Sequence, residues 1–211
     1  MIIGNLDPWA DTFPRGLIPE ILEMVVSEWA SFPQPNSNDH EVPITRRFRL
    51  VLIQSKNIKK LPVRIDREIP EDNFETGEEV GRIDLRFTHG YREDVYFTFE
   101  CKRLNIIRKD NQRESLATQY VEEGMMRFIT SQYASGLLDG GMIGYIMNGD
   151  IKTALQAVNR GVESRCQKLR INPPSGLCTS SLIPTNTQVK ETLHNLESRK
   201  LTIHHVFLPV Q

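Results

Sequence analysis

The sequence predicts a single mixed α/β domain in which helices pack on a sheet. Segments with the one-sided apolar spacing of helices alternate along the chain with shorter segments typical of strands. The predicted order is two helices, three strands, and then helix, strand, helix and strand. A chain of 211 residues is long enough for one good core and short for two, because domains commonly have about 100–150 residues.

Four segments have helical patterns. The first is Leu17–Trp29, and the second opens at Pro43, a residue well suited to a first helical turn. The third extends over residues 115–133. The fourth follows Asp150, whose side chain can cap a helix, and runs to about Cys166. In the first three, the apolar residues lie on one side and predict the face that packs on the core.

Five segments have the character of strands. They are Pro62–Ile69, Gly81–Phe87, Val95–Lys102, Gly140–Met147 and Leu201–Leu208. The first is expected to end at Pro70, before an acidic loop. The second and third contain Asp84 and Glu100 and are separated by a polar turn, so they predict a hairpin.

Composition describes an ordinary globular protein, with 39% apolar and 25% charged residues. No apolar run approaches the roughly 20 residues that cross a bilayer, and the N-terminus lacks the features of a signal peptide. Three widely spaced cysteines without a CxxC motif predict neither a disulfide framework nor a zinc site. We therefore expect a cytoplasmic protein with no membrane partner.

The charge balance gives no global sign of nucleic-acid binding. Net charge is −1, whereas proteins that coat nucleic acid are usually basic. Basic residues do cluster locally, at Arg46–Arg49, Lys56–Lys60 and Lys102–Arg113. Such patches can contact a phosphate backbone, and a solvated face is the alternative interpretation of each. The histidines His89 and His194 are isolated, and we expect them at the surface.

The residues most suggestive of chemistry lie on the predicted hairpin. Alternation places Glu100 and Lys102 on one face of their strand, with Cys101 opposite, and Asp84 can meet them from the neighbouring strand. Two carboxylates and a backbone carbonyl, that of Cys101, form a hard oxygen site that suits Mg²⁺. A lysine beside such a site can orient or deprotonate water and offset transition-state charge. The alternative is a structural aspartate beside a surface Glu-x-Lys.

Gly81-x-x-Asp84, the Glu100-Cys-Lys102 strand end and the order of elements resemble the PD-(D/E)XK nuclease superfamily. The resemblance implies a restriction-endonuclease-like αβββαβ core over about residues 39–148, with a central mixed sheet flanked by helices. Residues 1–38 would form an N-terminal helical extension and 149–211 a C-terminal helix–strand extension. It implies Asp84 and Glu100 as metal ligands and Lys102 as the catalytic lysine.

The same resemblance implies a further carboxylate from the first core helix. Glu41 is the candidate, with Glu20 and Glu23 on the leading helix as weaker ones. A carboxylate at a helix start that is favoured by the helix dipole explains Glu41 equally well.

Polar side chains of the helix after the lysine strand are also expected at the site. Gln119 and Arg127, together with Arg103 beside the lysine, are the candidates for binding nucleic acid. For Arg127, an ion pair with Glu123 one turn back is the alternative.

These expectations define a metal-dependent endonuclease that hydrolyses phosphodiester bonds, with Mg²⁺ as cofactor and Mn²⁺ as a substitute. DNA is the expected substrate. The resemblance also suggests a role in bacterial restriction or antiviral defence, and the near-neutral charge favours a partner subunit or a homodimer. The rival interpretation is an inactive nuclease-fold scaffold or accessory subunit of a nucleic-acid-processing complex, and a third is an RNA nuclease.

Overall fold

A computed structural model describes residues 12–36, 39–72, 76–108, 110–130, 132, 137–197 and 199–211 of the chain. The helical elements in these ranges are α1 (Leu17–Ser31), α2 (Glu41–Ile58), α3 (Ala117–Gln119), a π-helical segment (Tyr120–Met125), α4 (Met126–Ile129) and α5 (Ile151–Glu163). The strands are β1 (Arg64–Asp66), β2 (Ile69–Asp72), β3 (Glu79–Ile83), β4 (Leu85–Thr88), β5 (Tyr96–Leu104), β6 (Ile106–Ile107), β7 (Arg113–Glu114), β8 (Asp139–Ile146), β9 (Cys178–Thr179), β10 (Val189–Asn195) and β11 (Lys200–Pro209).

The main sheet is mixed, as predicted. Its order is β1-β4-β5-β8-β11-β10-β9. The central strands β5, β8 and β11 run parallel, and the strands on either side of them pair antiparallel. Two small sheets, β2 with β3 and β6 with β7, stand apart from it. A parallel centre needs helices on both faces, because its strands are buried on both sides.

The helices supply those two covering layers. Helices α1 and α2 cover one face, where their apolar residues join the odd-numbered side chains of β5 such as Phe97, Phe99 and Cys101. On the other face, the helical run from α3 to α4, together with α5, packs with residues that include Tyr96 and Leu104 of β5. The predicted α/β architecture with a mixed sheet between helices is therefore confirmed. Among the described residues, no helix combines the length and apolar character needed to cross a membrane.

Several local predictions are confirmed by these elements. Helix α1 and strands β5, β8 and β11 lie where the sequence patterns indicate. The Asp150 carboxylate accepts a hydrogen bond from the Thr153 backbone N–H at 3.0 Å, so it caps α5 as expected.

The predicted strand through Asp84 is wrong, because the chain breaks at this residue. Before the break, β3 pairs with β2, and after it β4 pairs with β1 and β5. Ile83 and Leu85 should share a face under strict alternation, yet they belong to the two opposite cores. Pro70 also lies within β2 and does not end a strand. Pro is tolerated there because β2 is an edge strand.

The predicted helix after β5 contains a π-helical segment, which the sequence pattern did not indicate. Within it, Gly124 faces Met142 of β8 and the stem of Lys102; a Cβ built at this glycine would lie 2.4 Å from Met142 Cε. A side chain at this position would require the flexible end of Met142 to move, so glycine allows close contact between the helix and the sheet. π segments are rare and often occur at functional sites.

Strand β10 was not predicted, and it changes the environment of His194. This histidine is buried, which contradicts its expected surface position. One ring nitrogen of His194 is hydrogen-bonded to the Leu169 carbonyl at 2.7 Å, and the other is hydrogen-bonded to the Thr192 hydroxyl at 2.7 Å. The same hydroxyl lies 2.9 Å from His205, whose second ring nitrogen lies 3.0 Å from the Tyr120 hydroxyl. Burial lowers the pKa of His194 to about 4. The network ties β10 and β11 to the start of the π segment.

Candidate active site

The candidate site lies where β4 begins beside β5. Leu85 is paired with Phe99, so the next position of the ladder sets Asp84 opposite Glu100. The Asp84 carboxylate leaves the ladder and accepts a hydrogen bond from the Cys101 backbone N–H at 2.7 Å. The break at Asp84 thus turns a carboxylate back onto β5.

The environment of Asp84 favours its protonated form. Loss of solvation raises the pKa of Asp84 from 3.8 to about 7, and the negative charge of Glu100 adds to this effect. The Cys101 hydrogen bond and the charges of Lys102 and Arg127 oppose it. A further positive charge, in addition to Lys102 and Arg127, would relieve the repulsion between the two acids.

Glu100 is the buried acid at the centre of the site, with 1% of its side chain exposed. Its Oε1 lies 2.9 Å from the ammonium nitrogen of Lys102, and its Oε2 lies 3.3 Å from a guanidinium nitrogen of Arg127. Both cations balance a carboxylate that would be very costly to bury alone.

Lys102 is held as an ammonium ion. Burial alone would lower the pKa of Lys102, but the charge and hydrogen bond of Glu100 outweigh burial and raise it. A general base needs a lowered pKa. Without a metal, Lys102 is therefore a cation and a hydrogen-bond donor. The expected role as a proton acceptor from water would need a neighbouring divalent cation to lower its pKa.

The Cys101 backbone faces the site, and its side chain faces away. In an extended strand the N–H and C=O of one residue point to the same side. Because the Cys101 N–H reaches Asp84, the Cys101 carbonyl is directed past the start of β4, towards the same space. The thiol is buried on the opposite face of the sheet, where it accepts a hydrogen bond from Tyr145 at 3.7 Å. This agrees with the predicted orientation of Cys101.

Glu41 and Arg103 form a pair of their own. Glu41 begins α2, and its carboxylate lies 3.0 Å from the Arg103 side chain. Arg103 has the parity of Cys101 along β5, so this pair belongs to the face opposite Glu100 and Lys102. The structure therefore brings Glu41 to an arginine and not to the two candidate ligands.

Of the two candidates on the following helix, Arg127 reaches the site. It contacts Glu100 and donates a hydrogen bond to the Arg82 backbone carbonyl at 3.4 Å. Gln119 is half-buried in α3, before the π segment. The contact between the π segment and the stem of Lys102 was not predicted, although a glycine inside a helical pattern is a signal of close packing.

The donor atoms suit a hard divalent cation. The site offers carboxylate oxygens of Asp84 and Glu100 and the Cys101 carbonyl, the ligand type that Mg²⁺ prefers. Among the residues that the structure describes, no three His, Cys, Asp or Glu side chains are grouped to hold a metal. A cation held by two carboxylates and one carbonyl would keep other coordination positions for water and for a phosphate oxygen, as Mg²⁺ commonly does.

Comparisons of the chain with protein-family models, with curated proteins and with solved structures give no match.

Proposed function

We propose that this protein is a metal-dependent nuclease of the PD-(D/E)XK type, with a restriction-endonuclease-like fold. One observation carries the proposal: the Asp84 carboxylate and the Glu100–Lys102 ion pair meet around the Cys101 backbone. Three ionisable side chains, one from the break before β4 and two from β5, converge next to a backbone carbonyl. A surface Glu-x-Lys beside an unrelated aspartate would not require burial of the glutamate.

Each residue has a role in this proposal. Asp84, Glu100 and the Cys101 carbonyl would hold Mg²⁺, which when bound polarises a phosphodiester and lowers the pKa of a bound water. Lys102 donates hydrogen bonds to the attacking water or to a nonbridging phosphate oxygen and so orients the reactants. Its positive charge stabilises the negative charge that accumulates on phosphorus oxygens in the transition state. A new P–O bond forms to the water oxygen and a bridging P–O bond breaks, which gives a phosphomonoester and a hydroxyl group.

DNA is the proposed substrate, in the setting of bacterial restriction or antiviral defence. The net charge of −1 is low for a protein that binds nucleic acid by itself. This supports target binding through a partner subunit or a homodimer, with Arg127 as a local contact to phosphate, whereas Arg103 faces the other side of the sheet.

Purified protein incubated with supercoiled plasmid, linear duplex, single-stranded DNA and RNA, in Mg²⁺, Mn²⁺ or EDTA, tests the proposal. Cutting that requires a metal and is lost in both Asp84→Asn and Lys102→Met is the expected result. Asp84→Asn keeps the hydrogen-bond acceptor for Cys101 and removes only the charge. Glu122→Gln is the matched control, because Glu122 is an exposed acid on the π segment that pairs with Arg165 at 2.8 Å. It should cut like the wild type.

Two outcomes would overturn the assignment. Metal-dependent cutting that survives both substitutions would place the chemistry elsewhere. No cutting of any substrate, also after addition of the products of neighbouring genes, would favour the inactive scaffold. Preference for RNA over DNA would correct the substrate alone. Glu41→Gln decides the fourth ligand, since a true ligand predicts loss of activity and the ion pair with Arg103 predicts nearly unchanged activity.

A further inference from the structure

The carboxylate of Glu100 is shared by two cations that are held very differently. Lys102 follows it by two residues on the same rigid strand, and 14% of the lysine side chain is exposed. Its stem packs against the π segment near Gly124. Arg127 comes from α4, and 29% of its side chain is exposed.

The contact of Arg127 with Glu100 is also longer than the contact of Lys102 with Glu100. The guanidinium lies 3.3 Å from Glu100 Oε2 and 3.4 Å from the Arg82 carbonyl, against 2.9 Å for the lysine. Both Arg127 distances exceed the usual optimum for N–H···O bonds, which is about 2.9–3.0 Å. Of the two cations on Glu100, Arg127 therefore has the longer contact and the more exposed side chain, so its contact with Glu100 is the one more readily exchanged.

A divalent cation that binds Oε2 would compete with Arg127 for the lone pairs of this oxygen. An ion and a guanidinium in the same place would also repel each other. We propose that Arg127 is an exchangeable counter-ion of Glu100: it neutralises the buried carboxylate until a divalent cation takes its place, and it then binds a phosphate group of the nucleic acid. This inference rests on the proposed nuclease function and adds a control of metal loading by the substrate-binding arginine.

The exchange couples metal and nucleic acid. A guanidinium released from a carboxylate finds an equivalent bidentate partner in a phosphate. Metal binding should then strengthen nucleic-acid binding, and nucleic acid should strengthen metal binding by the same factor, because coupling between two sites is reciprocal. If Arg127 has only a structural role, its replacement should leave this coupling unchanged.

The first arm of the test is metal binding by the full-length protein without nucleic acid. Titration with MgCl₂ or MnCl₂ by calorimetry compares wild type, Arg127→Gln and the control Arg165→Gln. Arg165 also forms an ion pair with the π segment, at Glu122, so the control removes the same charge and the same type of contact. Arg127→Gln should bind the metal at least about tenfold more tightly, because the metal then has no guanidinium to displace from Glu100 Oε2. Arg165→Gln should match the wild type.

The second arm measures binding of a fluorescent DNA duplex in EDTA and in CaCl₂, a hard cation of equal charge. In the wild type, Ca²⁺ should raise DNA affinity by at least about tenfold. In Arg127→Gln this increment should largely disappear, although the variant holds the metal more tightly. Opposite effects of one substitution on metal and DNA affinity are not expected from simple unfolding.

The outcomes separate this inference from the proposed function. If wild type and variants bind no metal, the nuclease proposal fails first. If the wild type binds metal in an Asp84-dependent way, and Arg127→Gln binds it with unchanged or lower affinity, the counter-ion exchange is wrong while the nuclease stands. An unchanged Ca²⁺ increment in Arg127→Gln would also overturn it. Thermal unfolding of each variant shows whether a loss reflects unfolding.

Discussion

Replacement of Asp84 by asparagine is expected to stabilise the protein at neutral and alkaline pH. The Asp84 carboxyl has its pKa raised from 3.8 to about 7, mainly because it is withdrawn from water, with Glu100 nearby. Between these two pH values the folded chain holds a proton at Asp84 that the unfolded chain has released. The free energy of unfolding therefore falls as pH rises through this window, and the loss is complete above about pH 7. Asparagine has no proton to lose and still accepts the Cys101 hydrogen bond.

The size of the effect follows from the difference between the two pKa values. Each pKa unit corresponds to about 1.4 kcal/mol, so ionised Asp84 costs the folded protein at most about 4 kcal/mol above its raised pKa. Asp84 is only half-buried and its neighbours can relax, so we expect Asp84→Asn to be more stable by about 2–4 kcal/mol at about pH 8. The gain should shrink towards zero near pH 4.

Urea unfolding followed by circular dichroism, in EDTA from about pH 5 to about pH 8.5, measures this profile. Asp150→Asn is the matched control. The pKa of Asp150 is lowered by its hydrogen bonds with Thr153, so its titration lies below the window. Its stability relative to wild type should be unchanged or lower, and constant with pH.

A flat difference between Asp84→Asn and wild type would refute the reasoning, and so would a variant that is less stable at about pH 8. Either result would mean that the charge of Asp84 is already compensated in the folded protein. A destabilising acid at the candidate site would fit the pattern expected where function is favoured over stability.

Three further substitutions test the site and the core. Glu100→Gln should lower the free energy of unfolding by about 3 kcal/mol in urea titrations, because two cations lose their buried partner; a loss below about 1 kcal/mol would contradict the burial of this pair. Gly141→Ala should lower the free energy of unfolding by about 1–3 kcal/mol in the same assay, since its Cβ would lie 2.3 Å from the Phe99 ring. Its control, Gly16→Ala, should leave the free energy of unfolding nearly unchanged, because no atom lies within 4 Å of a Cβ at Gly16. The pKa of His194 is lowered to about 4, so as pH falls below about 6.5 the unfolded chain takes up a proton at this residue before the folded chain does, and the free energy of unfolding declines. His194→Gln should make this decline less steep, and an unchanged slope would contradict the reasoning.

Short-range pattern predicted much of the candidate site. Alternation along β5 is sufficient to place Glu100 and Lys102 on one face and Cys101 on the other, because side chains of a strand alternate whatever lies beside it. The same holds for the buried strand β8 and for the cap of α5 by Asp150. These features depend on residues that are close in sequence.

Other features depend on partners far along the chain, and the sequence pattern does not predict which residues those partners are. Strict alternation at Asp84 was the wrong assumption, since this carboxylate gains a hydrogen bond from Cys101 by leaving the ladder. Glu41 looked like a free acid at a helix start, and its arginine partner lies 62 positions away. His194 looked isolated because the strand that buries it has too weak a pattern to predict.

By itself, then, the sequence determined the mixed α/β class, most of the elements, and which residues of β5 share a face. Only the tertiary structure decided that Asp84 breaks its strand, that a π segment brings Arg127 onto Glu100, and that Glu41 pairs elsewhere. The physical reason is the range of the forces involved. Periodicity and capping act within a few residues, whereas the choice of ion-pair and hydrogen-bond partners is made when distant segments compete for the same buried groups.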